Sequence, residues 1–442
     1  MDGAQAHGTT DIRRVLADLF ERAVLAGAAP FLLFPSLRPK AALAALGALL
    51  AVWAITTVLR EEAWPLTPFN GALLLFIPMV GVGILVSALP ELTLPKAMGL
   101  ILGLAAFRAV AAARERPFPR VAVAEFILVG LVILLAGALG TGWAEKIPAW
   151  KTLLSRLPAR FLRLPETQGA GIHPNELAGA LVLYLPLPLS ALFGWRPAWR
   201  RIPGLFAALG GFLGCGAALL LTQSRSGWLG GAAGLLALGT LWLLRSRKCW
   251  VRFLGIALPL LALGILAVAV WQAGPMRFRE AFDAATNEHL ETPLGAISLE
   301  GRIELWSRAL YAIQDFPFTG CGLGTFRRVV HMLYPLFLTP PDTDVAHAHN
   351  VFLQVALDLG IPGLVAYLAL LGAAGAAAWS AGRPGAPMRW VPLGLLAGLV
   401  GYHAYGITDA IALGAKPGLA FWLALGVMGN FAATLEASEK RR

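Results

Sequence analysis

Apolar blocks long enough to cross a bilayer constrain this chain more than any other feature. A helix rises about 1.5 Å per residue, so about 20 apolar residues traverse the roughly 30 Å hydrocarbon core of a membrane. Blocks of that kind recur near residues 203–223, 226–244, 251–273 and 351–378. Only 14% of the 442 residues are charged and 57% are hydrophobic, whereas a soluble domain carries roughly a quarter charged residues. The charge deficit falls in the blocks themselves. The expected fold class is therefore an all-α polytopic integral membrane protein.

The pattern divides into about twelve transmembrane helices, near 23–37, 41–59, 70–89, 94–113, 121–140, 174–193, 203–223, 226–244, 251–273, 351–378, 389–411 and 417–434. The first is short and carries Pro30 and Pro35. Residues 1–22 form a polar N-terminal segment with no apolar core of a signal peptide. Residues 23–273 hold the first nine spans, 274–350 a long loop, 351–434 the last three spans, and 435–442 a short tail. Abundant alanine and glycine permit close packing of helices in lipid.

The net charge is +11. In a soluble protein that would suggest nucleic acid. Here the basic residues stand between apolar blocks, and topology explains them better. With both termini cytoplasmic, the inner connections carry Arg13, Arg14, Arg22, Arg60, Arg114, Arg116, Arg120, Arg196, Arg200, Arg201, Arg245, Arg247, Lys248, Arg252, Arg383 and Arg389. The outer turns carry few cations: Arg38, Lys40, Lys96, Arg225 and Lys416. Cys215, Cys249 and Cys321 show neither metal nor disulfide spacing.

Two outer connections are long. Near 141–172, Ala149 to Arg163 mixes aromatic, leucine and basic residues as an interfacial helix near anionic head groups would. The loop 274–350 is too long for a simple connector and is expected to fold partly by itself. Within it Ile303 to Phe316 repeats apolar residues at helical spacing, and Pro317 and Gly320 end that helix.

The chemically capable side chains collect on this outer side. Arg225 lies in the tight turn Gln223-Ser-Arg-Ser226. It reads either as an arginine snorkelling to lipid phosphates or as an anion clamp, because guanidinium offers a fixed fork of donors. Arg302 is either half of a surface ion pair with Glu300 or Glu304, or a second clamp. His349 precedes Asn350, a suitable helix cap, and reads as a packed histidine or as a general base. His347 orients its neighbour or is solvated. The run Asp342 to His349 also admits a metal, but an isolated His-x-His is thin evidence, and no metal is expected. Gly320-Cys-Gly-Leu-Gly324 lacks the strand–loop–helix context of a phosphate loop and reads as flexible punctuation. His403 and Asp409 suit a proton path or a buried hydrogen-bonded pair.

In order along the chain, His173-Pro-Asn-Glu-Leu-Ala-Gly179, Ser224-Arg-Ser-Gly227, Gly301-Arg-Ile-Glu-Leu-Trp306, Pro317 to Phe326, and His349-Asn-Val-Phe-Leu-Gln354 with Gly360-Ile-Pro-Gly363 resemble the O-antigen ligase and polymerase superfamily. These are bacterial membrane enzymes that move glycans from undecaprenyl diphosphate. The resemblance covers about 173–363, and the N-terminal third matches only as a series of spans. It implies a GT-C-like helical glycosyltransferase of the inner membrane with a periplasmic active site, the loop 274–350 being catalytic, and no cofactor. It carries the catalytic histidine onto His349 and the diphosphate-binding arginines onto Arg225 and Arg302. His347, His173 and Asn350 are supporting candidates. Lys96 is the nearest candidate for a further basic residue that some members use. The implied partners are a lipid-linked glycan donor, a lipid A–core acceptor or a second lipid-linked glycan, and membrane lipids. The basic segment 149–163 favours lipid A–core and hence the ligase. A transporter of lipid-linked sugars would instead place charges near mid-membrane in paired half-repeats, and no repeat is visible.

Overall fold

The computed structural model describes residues 2–113, 120–140, 173–194, 202–284, 299–339 and 344–439. The described helices are α1 (Asp2–Leu33), α2 (Pro39–Arg60), α3 (Asn70–Leu85), α4 (Pro90–Ala112), α5 (Arg120–Gly140), α6 (Pro174–Tyr184), α7 (Pro186–Phe193), α8 (Ile202–Leu221) and α9 (Arg225–Leu244). After these come α10 (Cys249–Ala284), α11 (Leu299–Asp315), α12 (Phe326–Leu333), α13 (Val351–Ala381), α14 (Trp390–Tyr405) and α15 (Leu419–Glu439). Among the described residues, nine segments are long and apolar enough to cross a membrane: α2, α4, α5, α6 with α7, α8, α9, α10, α13 and α15. The protein is a multi-pass, all-α membrane protein. The remaining expected spans correspond to the apolar half of α1 and to the shorter α3 and α14.

Helices α4, α6, α14 and α15 form the packed interior, and α8 and α10 show most of their surface to the surroundings. Glycine sets how closely the interior helices approach. A Cβ on Gly230 of α9 would lie 2.7 Å from the Gly401 carbonyl of α14, and one on Gly401 would lie 2.6 Å from the Gly230 carbonyl. Between these two backbones there is no room for even a methyl group, which is how small residues drive association in lipid.

The bundle has two chemically different ends. At one, Glu21 of α1 contacts both Arg60 of α2 and Arg108 of α4. Arg60 also binds Asp18 at 2.7 Å, and Arg108 donates to Thr56, Thr57 and the Ala63 carbonyl. Arg22 pairs with Glu125 at 3.1 Å, Arg245 stacks on Trp379 and Arg389 on Trp242. Helix α1 extends back through the polar segment 1–22. Its Asp18 and Glu21 are held by guanidinium groups of neighbouring helices.

The opposite end carries the loop that follows α10. There α11 and α12 pack Leu305, Ala309, Ala312, Phe326 and Val330 against Val345, Ala348 and Leu357 in a small core of their own. The helical spacing read in 303–316 is this buried face. Helix α13 is broken at Gly360, whose φ is 70°. Helix α14 ends at Tyr405, so residues 406–411, expected to complete the eleventh span, instead leave the helix and form a loop at this end of the bundle. The basic segment 149–163 lies outside the described residues.

Candidate active site

The loop after α14 is the hub of the site. Ser226, in the first turn of α9, accepts a hydrogen bond from the Thr408 hydroxyl at 2.9 Å. Arg302, on α11 and buried, donates from Nη1 to the Thr408 carbonyl at 2.5 Å. Val351 N donates to the Gly406 carbonyl at 2.7 Å, and Asn350 Nδ2 to the Ile407 carbonyl at 3.0 Å. Asp409, next along the loop, receives His349 Nδ1 at 3.1 Å. One short loop thus ties together the starts of α9 and α11, which carry Arg225 and Arg302, and the entry to α13, just before which His349 stands.

Local chemistry positions each of these side chains. Ser224 caps α9 through Gly227 N at 3.2 Å, which sets Arg225 on the first turn. Asn350 caps α13 by accepting from Phe352 N and Leu353 N at 3.0 and 3.1 Å. His349 then stands just outside the helix with φ 47°, a left-handed conformation rare for a residue with a Cβ. It is held there on both sides. Its N–H donates to His347 Nδ1 at 3.2 Å, and its carbonyl accepts from Trp306 Nε1 at 3.3 Å. Strain of this kind persists where surrounding contacts over-determine the backbone.

Charge around the histidines is asymmetric. Burial pushes the Asp409 carboxyl up, but His349, His347 and Arg302 together outweigh it and hold the group below the usual carboxylate range. Asp409 is therefore ionised and can only accept. The proton of neutral His349 accordingly lies on Nδ1, and the Nε2 lone pair is available. Burial, helped by the charges of His349, Lys96 and His173, lowers His347 to about 3 despite the opposing pull of Asp409. His347 is a neutral partner at physiological pH.

His347, His349 and Asp409 also offer three ligand atoms within 4.8 Å of one another. The proton arrangement suits a histidine–carboxylate pair better than an ion. His347 Nδ1 accepts a backbone N–H, so its ring proton sits on Nε2, the atom that faces Asp409 and would have to face the metal. Of the acidic residues in the loop run, Asp344 pairs with Arg327 instead, and Asp342 lies outside the described residues.

Residues 210–368 match the family model described as O-antigen ligase. The match over this segment supports the O-antigen ligase and polymerase superfamily that the ordered motifs resemble. No curated protein matches the chain. The matched segment runs from α8 into α13 and contains Arg225, Arg302, His347, His349 and Asn350. His173 and Asp409 lie outside the matched segment, and Asp409 joins the site only in three dimensions.

The structure brings most of the sequence candidates to this end of the bundle. Arg302 turns to Thr408, while Glu304 accepts from Phe337 N and Leu338 N at 2.6 and 3.0 Å. His173 is exposed and caps α6 through Asn175 N at 3.3 Å. His403 and Asp409 do not pair with each other: His403 bonds to Tyr367 at 2.9 Å, and Asp409 to His349. The residues that sequence reasoning missed are Thr408 and Asp409 in their roles as anchors. Their only local signal was a polar Thr-Asp pair at the end of an apolar block.

Proposed function

We propose that this protein is an O-antigen ligase, transferring a glycan from undecaprenyl diphosphate to a hydroxyl of lipid A–core oligosaccharide. The carrying observation is His349 Nδ1 at 3.1 Å from the buried Asp409 carboxylate, on the same loop that anchors Arg302 and Ser226. An ionised Asp409 fixes the tautomer and orientation of His349. Nε2 then takes the proton of the acceptor hydroxyl as that oxygen attacks the anomeric carbon. Proton transfer of this kind contributes typically 10²–10⁴-fold.

The bond that breaks joins the anomeric carbon to the diphosphate, and the electron pair leaves with the phosphate oxygen. Arg225 and Arg302 neutralise the charge growing there, an effect worth roughly 2–4 kcal/mol per well-placed donor. A single displacement inverts the anomeric centre and needs neither metal nor nucleotide sugar. The active site faces the periplasm of a bacterial inner membrane, with both termini cytoplasmic. The guanidinium-rich opposite end, with Arg60, Arg108, Arg245 and Arg389, supports that orientation through the preference of positive charge for the cytoplasmic side.

The test is transfer by purified protein in EDTA from an undecaprenyl-diphosphate glycan, with lipid A–core and a second lipid-linked glycan offered separately. Ligation to lipid A–core that His349→Ala abolishes is the expected result. Elongation of the lipid-linked glycan instead would make the protein a polymerase, and full activity in His349→Ala would remove the assigned base.

A further inference from the structure

Asp358 is an acidic side chain with no solvent exposure, set within α13 two residues before its break. A carboxyl group inside a membrane helix is costly to keep, and the proposed chemistry does not use this one directly. Its contacts lead to the histidine loop. Oδ1 accepts from Gly324 N and from Gln354 Nε2, both at 2.9 Å. Gln354 is one turn earlier and equally buried, and its Oε1 accepts from Ala348 N, also at 2.9 Å. Ala348 is the residue between His347 and His349.

The order of these bonds determines how the amide of Gln354 points. A backbone N–H can only donate, so the Gln354 carbonyl oxygen must face Ala348 N, which turns its NH₂ to Asp358 Oδ1. The glycine turn supplies the fixed end of the relay. Cys321 N donates to the Leu357 carbonyl at 2.8 Å and Ile361 N to the Pro317 carbonyl at 2.7 Å, which seats the turn in the break of α13. A Cβ on Gly360 would stand 2.5 Å from the Phe318 backbone, so the break and the turn fit each other only without a side chain there.

We propose that Asp358 and Gln354 are positioning residues for the transfer reaction. They lock Ala348 N so that His349 keeps its left-handed backbone and its approach to Asp409. This presupposes His349 as the base, as proposed above. The relay acts through hydrogen bonds at Oδ1, since Asp358 Oδ2 has no hydrogen-bond partner among the described residues. The competing role for Asp358 is as a counter-charge to Lys96, whose side chain runs past the Gly324 turn.

Gln354→Leu, Asp358→Leu, Asp358→Asn and the double leucine variant separate these roles, with His349→Ala assayed beside them. Each leucine variant is expected to lower kcat by about 100-fold in the protein that remains folded, the scale of a 1 Å misplacement, with KM for donor and acceptor unchanged. Asp358→Asn retains the Oδ1 acceptor and is expected to stay within about threefold of wild type. The double variant is expected to be no worse than either single one, because both break the same relay. Asp358→Asn as inactive as Asp358→Leu, or wild-type kcat in Gln354→Leu, would overturn the proposal while leaving His349 as base. An active His349→Ala would overturn the reading beneath it. If Asp358→Leu fails to fold, the kcat of Gln354→Leu and of Asp358→Asn still decide the matter.

Discussion

His349 and Asp409 are sixty positions apart in sequence, yet Nδ1 of the one lies 3.1 Å from Oδ1 of the other. The carboxylate is almost completely buried, and the hydrogen bond from His349 and the neighbouring His349, His347 and Arg302 lower it against the burial that alone would have raised it. A buried anion directed at one ring nitrogen fixes which nitrogen carries the proton.

Asp409→Asn tests that relationship with little change in shape. An amide can donate to Nδ1, which would move the histidine proton to Nε2 and block the base. The expected loss in kcat is about 10²–10⁴-fold, with donor KM near wild type, read in the transfer assay.

Arg302→Lys keeps the charge and loses the planar fork. Arginine both donates to the Thr408 carbonyl and presents further N–H groups from one rigid plane, whereas a lysine ammonium cannot hold both directions. The expected loss is about 2–4 kcal/mol of transition-state stabilisation, measured as kcat/KM, with Arg302→Ala at least as severe.

Acid is expected to destabilise the fold through His347. Its native pKa is lowered to about 3, against about 6.5 in an unfolded chain. Between those values the unfolded state binds the proton and the native state does not, so stability is full above about 6.5 and falls as pH drops towards 3. From pH 7 to pH 5 this contributes up to about 2 kcal/mol. Thermal melts at the two pH values are expected to converge in His347→Gln. The Asp409 carboxyl, also lowered in the fold, acts in the same direction at lower pH. Its contribution is present above the ordinary carboxylate range and lost only as pH falls below it, outside this window.

Glu21→Ala leaves Arg60 and Arg108 buried without their shared carboxylate. Removing one partner of a buried ionic network costs about 3–5 kcal/mol. Because this cluster lies at the end of the bundle away from the histidines, the expected result is a lowered melting temperature with kcat unchanged in the protein that remains folded.

The fold class was legible because lipid demands long apolar helices whatever their neighbours, and the blocks at 203–223, 226–244 and 251–273 each reappear as a helix. The amphipathic face at 303–316 was legible for the same kind of local reason. The turn Gly320 to Gly324 was not: with no strand beside it, it read as flexible. In the structure it is seated in the break of α13, against Leu357 and Asp358, more than thirty residues away. The end of the eleventh span was misread because Ile407, Ala410 and Ile411 continue the apolar run, and hydropathy does not register that the Ile407 carbonyl is bonded to Asn350 and the Thr408 carbonyl to Arg302.

By itself the sequence determined the membrane fold, the separation of its cations and the identity of Arg225, Arg302 and His349 as candidates, since each depends on residue type, local period or motif. Tertiary structure alone decided that Thr408 anchors an arginine, that Asp409 faces His349, and that Asp358 supports the histidine loop through Gln354. Hydrogen bonds between distant segments depend on where helices end and how closely their backbones meet, and neither property is written in any single stretch of the chain.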